Sequence, residues 1–259
     1  MQFRKSLEID EPNYINTIQV LIENGSKVSE HRSGSRRTIY ADSHVCGYSQ
    51  TEYNLPISPD LKPSQFYAFL GAFKKSLYNQ FRLNENLWSL KIDFHGVSRD
   101  KNHISWSKLK NRTVFYNIDL SSAYWQMAFR LGYISKKTFN SYMYRDEYKE
   151  AKRYCVSFLA RENEMKYFDG REIDCVECDV SAFYQVYDNI RHELYNCIDK
   201  LTKLTDNWIE YNIDGISVSS KDKDVVCKCL DEMNLIYKVN ECIKIDKHEY
   251  FQKGQIRKF

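Results

Sequence analysis

The chain has 259 residues, with 38 Lys+Arg against 35 Asp+Glu, 42% hydrophobic residues, 15% aromatics, 9 Gly and 4 Pro. So many aromatics exclude a mainly disordered chain, and so few Gly and Pro exclude a collagen-like or low-complexity one. The length can bury the core of one large domain or two small ones.

Residues 1–60 show turn residues and short β-like pieces without a clear period. From Ser64 the pattern is helical: Phe66, Phe69, Leu70, Phe73, Leu77 and Phe81 follow i, i+3, i+4, i+7 spacing, with Ser64 as the expected cap. The run LWSLKIDFHGV is expected to be a strand ending near Gly96. Thr113–Asp119 alternates as a strand, with Phe115, Asn117 and Asp119 on one side. The helix SSAYWQMAFRLG follows, and Gly132 is its expected stop.

Lys136–Ala160 is expected to be helical with a break near Asn140, and Asp179–Leu201 carries one long apolar stripe. WIEYNIDGISVSS gives two β runs around Asp-Gly, a strong hairpin signal. A helix over Val225–Met233 and strands over Ile236–Val239 and Cys242–Ile245 close an α+β order.

No run of about 18 apolar residues is present, so no membrane-spanning helix is expected. The opening MQFRKSLEIDEPNY lacks the apolar stretch of a secretory signal, so a cytoplasmic location is expected. The eight cysteines are then expected as reduced thiols. Cys175-x-x-Cys178 and Cys227-x-Cys229 invite a zinc reading, but one intervening residue in a helical stretch argues against the second pair.

The net charge of +3 is too small to argue for nucleic acid. Its distribution says more. Arg99–Arg112, Lys136–Arg153 and the stretch from Lys244 form three basic groups interleaved with Tyr, Trp and Phe, which suits a phosphate-tracking groove with stacking platforms. The plainer reading of each is a solvated face.

Asp119 ends a strand and Asp214 sits at a hairpin tip 95 residues later. If those strands are neighbours, the two carboxylates stand at one sheet edge and can hold two Mg²⁺ about 4 Å apart for phosphoryl transfer. Mg²⁺ favours few protein carboxylates and leaves positions for substrate oxygens. Each residue alone has a plainer role, as a helix cap or a turn.

Asp119-Leu-Ser-Ser122-Ala-Tyr124-Trp125 resembles motif A of family B DNA polymerases (D-x-x-S-L-Y-P). Lys152-Arg-Tyr-Cys-Val-Ser157-Phe-Leu-Ala160 resembles their motif B (K-x-x-x-N-S-x-Y-G), and Glu210-Tyr-Asn212-Ile-Asp214-Gly-Ile resembles motif C (Y-x-D-T-D-S-I). Phe94-His-Gly96 resembles the Y-x-G-G element of protein-primed bacteriophage members. The three motifs stand in the family's order, and the resemblance spans roughly residues 91–250.

The resemblance implies a palm-like antiparallel sheet backed by helices over 91–259, short fingers over about 126–160 and a minimal thumb; residues 1–90 show no such resemblance and are expected to be an N-terminal α/β region of unknown role. It implies template-directed DNA synthesis from dNTP on a primer-template, with two Mg²⁺ or Mn²⁺ ions on Asp119 and Asp214 and the Leu120 carbonyl as a further ligand. Lys152 would meet the triphosphate, Tyr124 would exclude a 2′-hydroxyl, and Ser122 would border the nucleotide. Phe94, Gly96 and Ser157 would touch DNA, and Lys247 and Tyr250 would hold the primer end. A terminal or accessory replication protein is the implied partner.

The chain departs from the family at Asn212, where motif C has its first Asp, and at Val156, Leu159 and Ala160 in motif B. Those departures keep a second expectation open, a palm that binds DNA without catalysis. No paired acidic exonuclease motif is found in the first 90 residues, so proofreading is not expected.

Overall fold

The structure, a computed structural model, describes residues 7–33, 36–50, 58–94, 96, 104, 106–160, 162–169, 172–180, 183–205 and 207–258. In chain order come β1 (Leu7–Glu8), α1 (Glu11–Glu23), β2 (Val28–Ser33), β3 (Arg36–Ala41), β4 (His44–Gln50) and α2 (Pro63–Leu83). Then follow β5 (Val114–Leu120), α3 (Ala123–Arg130), α4 (Lys136–Met143), α5 (Lys149–Ser157), β6 (Glu162–Asp169), β7 (Glu172–Val180) and α6 (Tyr184–Leu204). The last elements are β8 (Trp208–Asn212), β9 (Gly215–Ser219), α7 (Lys223–Glu232), β10 (Tyr237–Lys244), β11 (Glu249–Gln252) and β12 (Gln255–Lys258). The fold is α+β, as the alternation of periods predicts.

The chain forms two compact units, Met1–Ile57 with Ser157–Tyr187, and Ser58–Val156 with Asp188–Phe259. They do not coincide with a division at residue 90. The first unit holds a sheet in the order β1-β4-β3-β2-β6-β7, antiparallel except for the β1–β4 pair. Tyr14 and Ile18 of α1 pack on Val28 and Ile39, with Phe168 of β6 joining from far along the chain. Strands of six or seven residues with a register shift between Ile39 and Tyr40 leave too little regular alternation to read from residues 1–60.

The second unit is built on an antiparallel sheet in the order β12-β11-β10-β5-β9-β8. On one face of it Ile118, Leu120, Ile216 and Val218 are buried. Phe115, Asn117 and Asp119 point to the other, opposite Cys242, Asn240 and Lys238 of β10. One end of that second face is closed by a cluster of Phe115, Ile209 and Cys242 with Trp106, Leu109 and Tyr250. The aromatic stripe of α2 is core, as its spacing predicts: Phe69 and Phe73 lie 5.5 and 5.8 Å from the Trp125 ring of α3, and Phe69 lies 4.6 Å from Tyr142 of α4.

Several local expectations are corrected. Pro63 at the first helical position opens α2, while Ser64 lies inside it. Among the described residues of LWSLKIDFHGV there is no strand: Glu85–Trp88 is a 3-10 turn, and the backbone over 90–93 is held by side chains of α6. Asn189 accepts from Ile92 N–H at 2.9 Å and donates to Leu90 O at 2.7 Å, and Asn196 donates to Asp93 O at 3.0 Å. Those bonds satisfy the backbone without a neighbouring strand. The helical break after Lys136 falls beyond Met143 rather than at Asn140. Asp179 belongs to β7, so the long helix starts at Tyr184. The last two predicted strands are one continuous β10, followed by a further hairpin.

Gly132 stops α3 as predicted, at φ +79° with Tyr133 N–H returning to Ala128 O at 2.9 Å. Among the described residues no helix is long and apolar enough to cross a membrane. Cys46, Cys155, Cys197, Cys227, Cys229 and Cys242 are free thiols. The side chains of Cys175 and Cys178 lie outside the described residues.

Candidate functional site

Asp119 and Asp214 meet because β5 and β9 are neighbours. Asp119 is registered opposite Gly215, and Leu120 N–H donates to the Asp214 carbonyl at 2.7 Å. Asp214 occupies the two-residue turn Ile213–Asp214 that closes the β8–β9 hairpin. The Asp-Gly hairpin signal is therefore right for another reason than the one usually behind it. Neither turn residue has a positive φ, and Gly215 itself lies in β9. A β-carbon at position 215 would stand 2.7 Å from Ile118 O, 3.2 Å from Asp119 Cα and 3.4 Å from Asp119 Oδ1. Glycine is required there by the close approach of β5.

The two carboxylates repel. Burial, and next the Asp214 charge, push the Asp119 carboxyl up to about 6, while Lys149, Lys238 and Lys253 act in the opposite direction. Lys238 is registered opposite Asp119 on β10, so Gly215, Asp119 and Lys238 form one row across three strands of the same face.

The turn leaving Asp119 is unusual. Ser122, which caps α3, sits in the left-handed region at φ +49°, ψ 50°, a conformation that costs a non-glycine residue about 1–2 kcal/mol. Gln126, 2% exposed, holds it in place. Its Nε2 donates to Ser121 O at 2.8 Å and to Ile236 O at 2.7 Å, and its Oε1 accepts from Ile236 N–H at 2.7 Å. Ser121 N–H also donates to Ile236 O at 2.9 Å. One buried amide thus ties the end of β5 to the start of β10. Tyr124 stands half-buried in the first turn of α3, and the Leu120 side chain is buried.

Other sequence-predicted residues have different neighbours. Lys152 is 3% exposed, and its Nζ donates to Tyr142 O at 3.1 Å and Met143 O at 3.0 Å, the last carbonyls of α4. Burial pushes its ammonium down to about 8, against the pull of Asp146 and Glu147. It serves the end of a helix rather than an open anion site. Phe94 stacks on Tyr195 of α6 at 5.0 Å and lies 6.0 Å from His192. Gly96 is exposed at φ +104°. Ser157 is exposed at the end of α5 and belongs to the first unit.

The Lys247 carbonyl accepts from Trp106 Nε1 at 2.8 Å. Tyr250 packs with Trp106 and Phe115, and burial raises its phenol. Phe115 lies four residues before Asp119 on β5, roughly 13 Å along the strand, so Lys247 and Tyr250 attend its opposite end. The structure brings together Asp119, Asp214, Leu120, Ser122 and the α3 turn that carries Tyr124.

Sequence reasoning missed Gln126 and Lys238, and placed Lys149 and Lys253 only within its basic groups. Lys149 lies within the second basic group, but only the β5–β10 register singles out Lys238, and nothing local marks Gln126. The donor set fits a hard divalent cation: two adjoining carboxylates whose mutual repulsion a cation relieves, with the Leu120 carbonyl at the end of the same strand. Among the described residues no group of three or more His, Cys, Asp and Glu is placed to hold a metal. Searches of protein-family models, curated proteins and solved structures find no match to the chain.

Proposed function

We propose that the second unit is a palm-like nucleotidyl-transfer centre that extends a 3′-hydroxyl with dNTP on a DNA template, using Mg²⁺ or Mn²⁺. The observation that carries this reading is the junction of Asp119 and Asp214 on neighbouring strands, with the Asp119 carboxyl raised by burial and by its partner's charge. The ordered motif resemblance supports it. When bound, the metal ions supply activation of the attacking hydroxyl and charge stabilisation at the leaving pyrophosphate. Asp119 and Asp214 would hold the cations. The Ser121–Ser122 turn, locked by Gln126, fixes the end of β5 so that the carboxylates keep their spacing. Tyr124, on the first turn of α3, borders the nucleotide sugar.

The test is primer extension with Mg²⁺ or Mn²⁺. Asp119→Ala and Asp214→Ala are each expected to lower the rate at least about 100-fold while the fold persists. Extension unchanged by both substitutions removes the reading. A second reading, DNA binding without catalysis, is favoured by exposed Asn212 at the end of β8, where the resemblance calls for a carboxylate. Template binding by a wild-type protein that extends no primer would establish it.

A further inference from the structure

We propose that Lys238 is the ammonium that receives the polyphosphate of the substrate, and that Lys152 is a structural lysine. The inference rests on the nucleotidyl-transfer reading of the same site and names the chain's own phosphate ligand.

Geometry singles out Lys238. It stands in β10 directly opposite Asp119, so both side chains leave the same face of the sheet from neighbouring strands. It is exposed. Among the described residues its ammonium makes no hydrogen bond or ion pair, whereas several other surface cations of this unit are paired, such as Arg130 with Glu193 and Lys203 with Asp199. An ammonium across from the Asp119 carboxylate and not paired with it is placed for a third party. The third party must carry negative charge and share the cation that the carboxylates attract.

Lys149 and Lys253, on two other elements, add positive charge that reaches Asp119. Lys149 opens α5 and is exposed, and Lys253 lies in the β11–β12 turn at φ +50°. Both lower the Asp119 carboxyl, as Lys238 does, so all three charges act at one carboxylate. An ammonium registered across from the Asp119 carboxylate suits a polyphosphate that brings its own divalent cation: the carboxylates face the metal and the ammonium faces the phosphate oxygens.

Lys152 cannot serve this purpose without cost. Its Nζ already holds the Tyr142 and Met143 carbonyls. Turning it outward takes from the Met143 carbonyl, at the end of α4, the ammonium it accepts from.

Calorimetric binding of magnesium tripolyphosphate to the full chain tests the assignment without turnover. Lys238→Ala is expected to weaken binding about tenfold, the loss of one charge-assisted contact, and Lys238→Arg to restore most of it. Lys228→Ala, an exposed cation on α7, is the control and is expected to bind as wild type. Equal affinity in wild type and Lys238→Ala overturns the inference, as does a wild type that binds no tripolyphosphate.

Primer extension in the same preparations separates this inference from the reading beneath it. Extension with an unchanged KM for dNTP in Lys238→Ala overturns the Lys238 assignment and leaves nucleotidyl transfer standing. Lys238-dependent tripolyphosphate binding in a protein that extends no primer supports the assignment and removes nucleotidyl transfer.

Discussion

Gly215 faces Asp119 so closely that a β-carbon at 215 would fall 2.7 Å from the Ile118 carbonyl, inside any tolerable contact. The obstacle is backbone on both sides, so no side chain can swing away to make room. Gly215→Ala is therefore expected to spread β5 from β9. Overpacking of this kind costs about 1–3 kcal/mol, with roughly 2–4 °C of Tm for each kcal/mol in a chain of this size. Because the strain falls on Asp119, primer extension is expected to drop further than stability does. A variant with wild-type Tm and wild-type rate would show that the strands part without consequence.

Asp119 gives the protein a pH signature. Its carboxyl titrates at about 6 in the folded chain against 3.8 for the ordinary group. Between those values the folded state holds the proton that the unfolded chain has released. The stability contributed by this group is therefore full below about pH 3.8 and is lost as pH rises through 6. The carboxyl is part-exposed, so solvent screening limits the effect to about 1 kcal/mol. Asp119→Asn is expected to remove this slope in urea titrations between pH 4 and 7. Added Mg²⁺ is expected to lower the Asp119 titration and release protons, which calorimetry in buffers of different ionisation enthalpy reads directly.

Gln126 stabilises the site through a single amide. Gln126→Leu removes three hydrogen bonds of 2.7–2.8 Å and strands polar groups of Ser121 and Ile236. The expected loss is about 2–4 kcal/mol, measured as a lower urea midpoint at constant m. In conditions where the variant stays folded, its apparent Mg²⁺ affinity is expected to fall too, since the turn behind Asp119 is no longer fixed. Unchanged metal affinity would limit Gln126 to a purely structural role.

Lys152 and Lys238 are expected to differ in kind. Lys152→Met takes the ammonium from the Met143 carbonyl and leaves the Tyr142 carbonyl only its backbone donors, so Tm falls. Its KM for dNTP is expected to stay within about twofold of wild type, because the ammonium faces α4. The pH dependence has the opposite sign to that of Asp119. The folded ammonium titrates at about 8, below its ordinary 10.5, so its contribution to stability is full above 10.5 and is lost as pH falls through 8. A large rise in KM with unaltered Tm in Lys152→Met would return Lys152 to the nucleotide.

Much of the second unit was legible in the sequence because its signals are local. The stripe from Phe66 to Phe81 identified α2, the alternation of Thr113–Asp119 identified β5, and Gly132 marked the end of α3. The run around Asp93 was misread because its apolar residues imitate a strand, while its hydrogen bonds go to Asn189 and Asn196, about a hundred residues away. The first unit was illegible for a similar reason. Its β2 pairs with β6, so the sheet joins segments more than 120 residues apart.

By itself the sequence determined the α+β class, the main helices and β5 of the second unit, the β8–β9 hairpin and the two aspartates at strand ends, since periodicity and turn chemistry act over a few residues. Only the tertiary structure decided which strands are neighbours. Register then placed Lys238 opposite Asp119, burial turned Lys152 toward α4, and the close approach of two backbones required glycine at 215. Those outcomes depend on long-range pairing, where a shift of one residue sends every side chain to the other face.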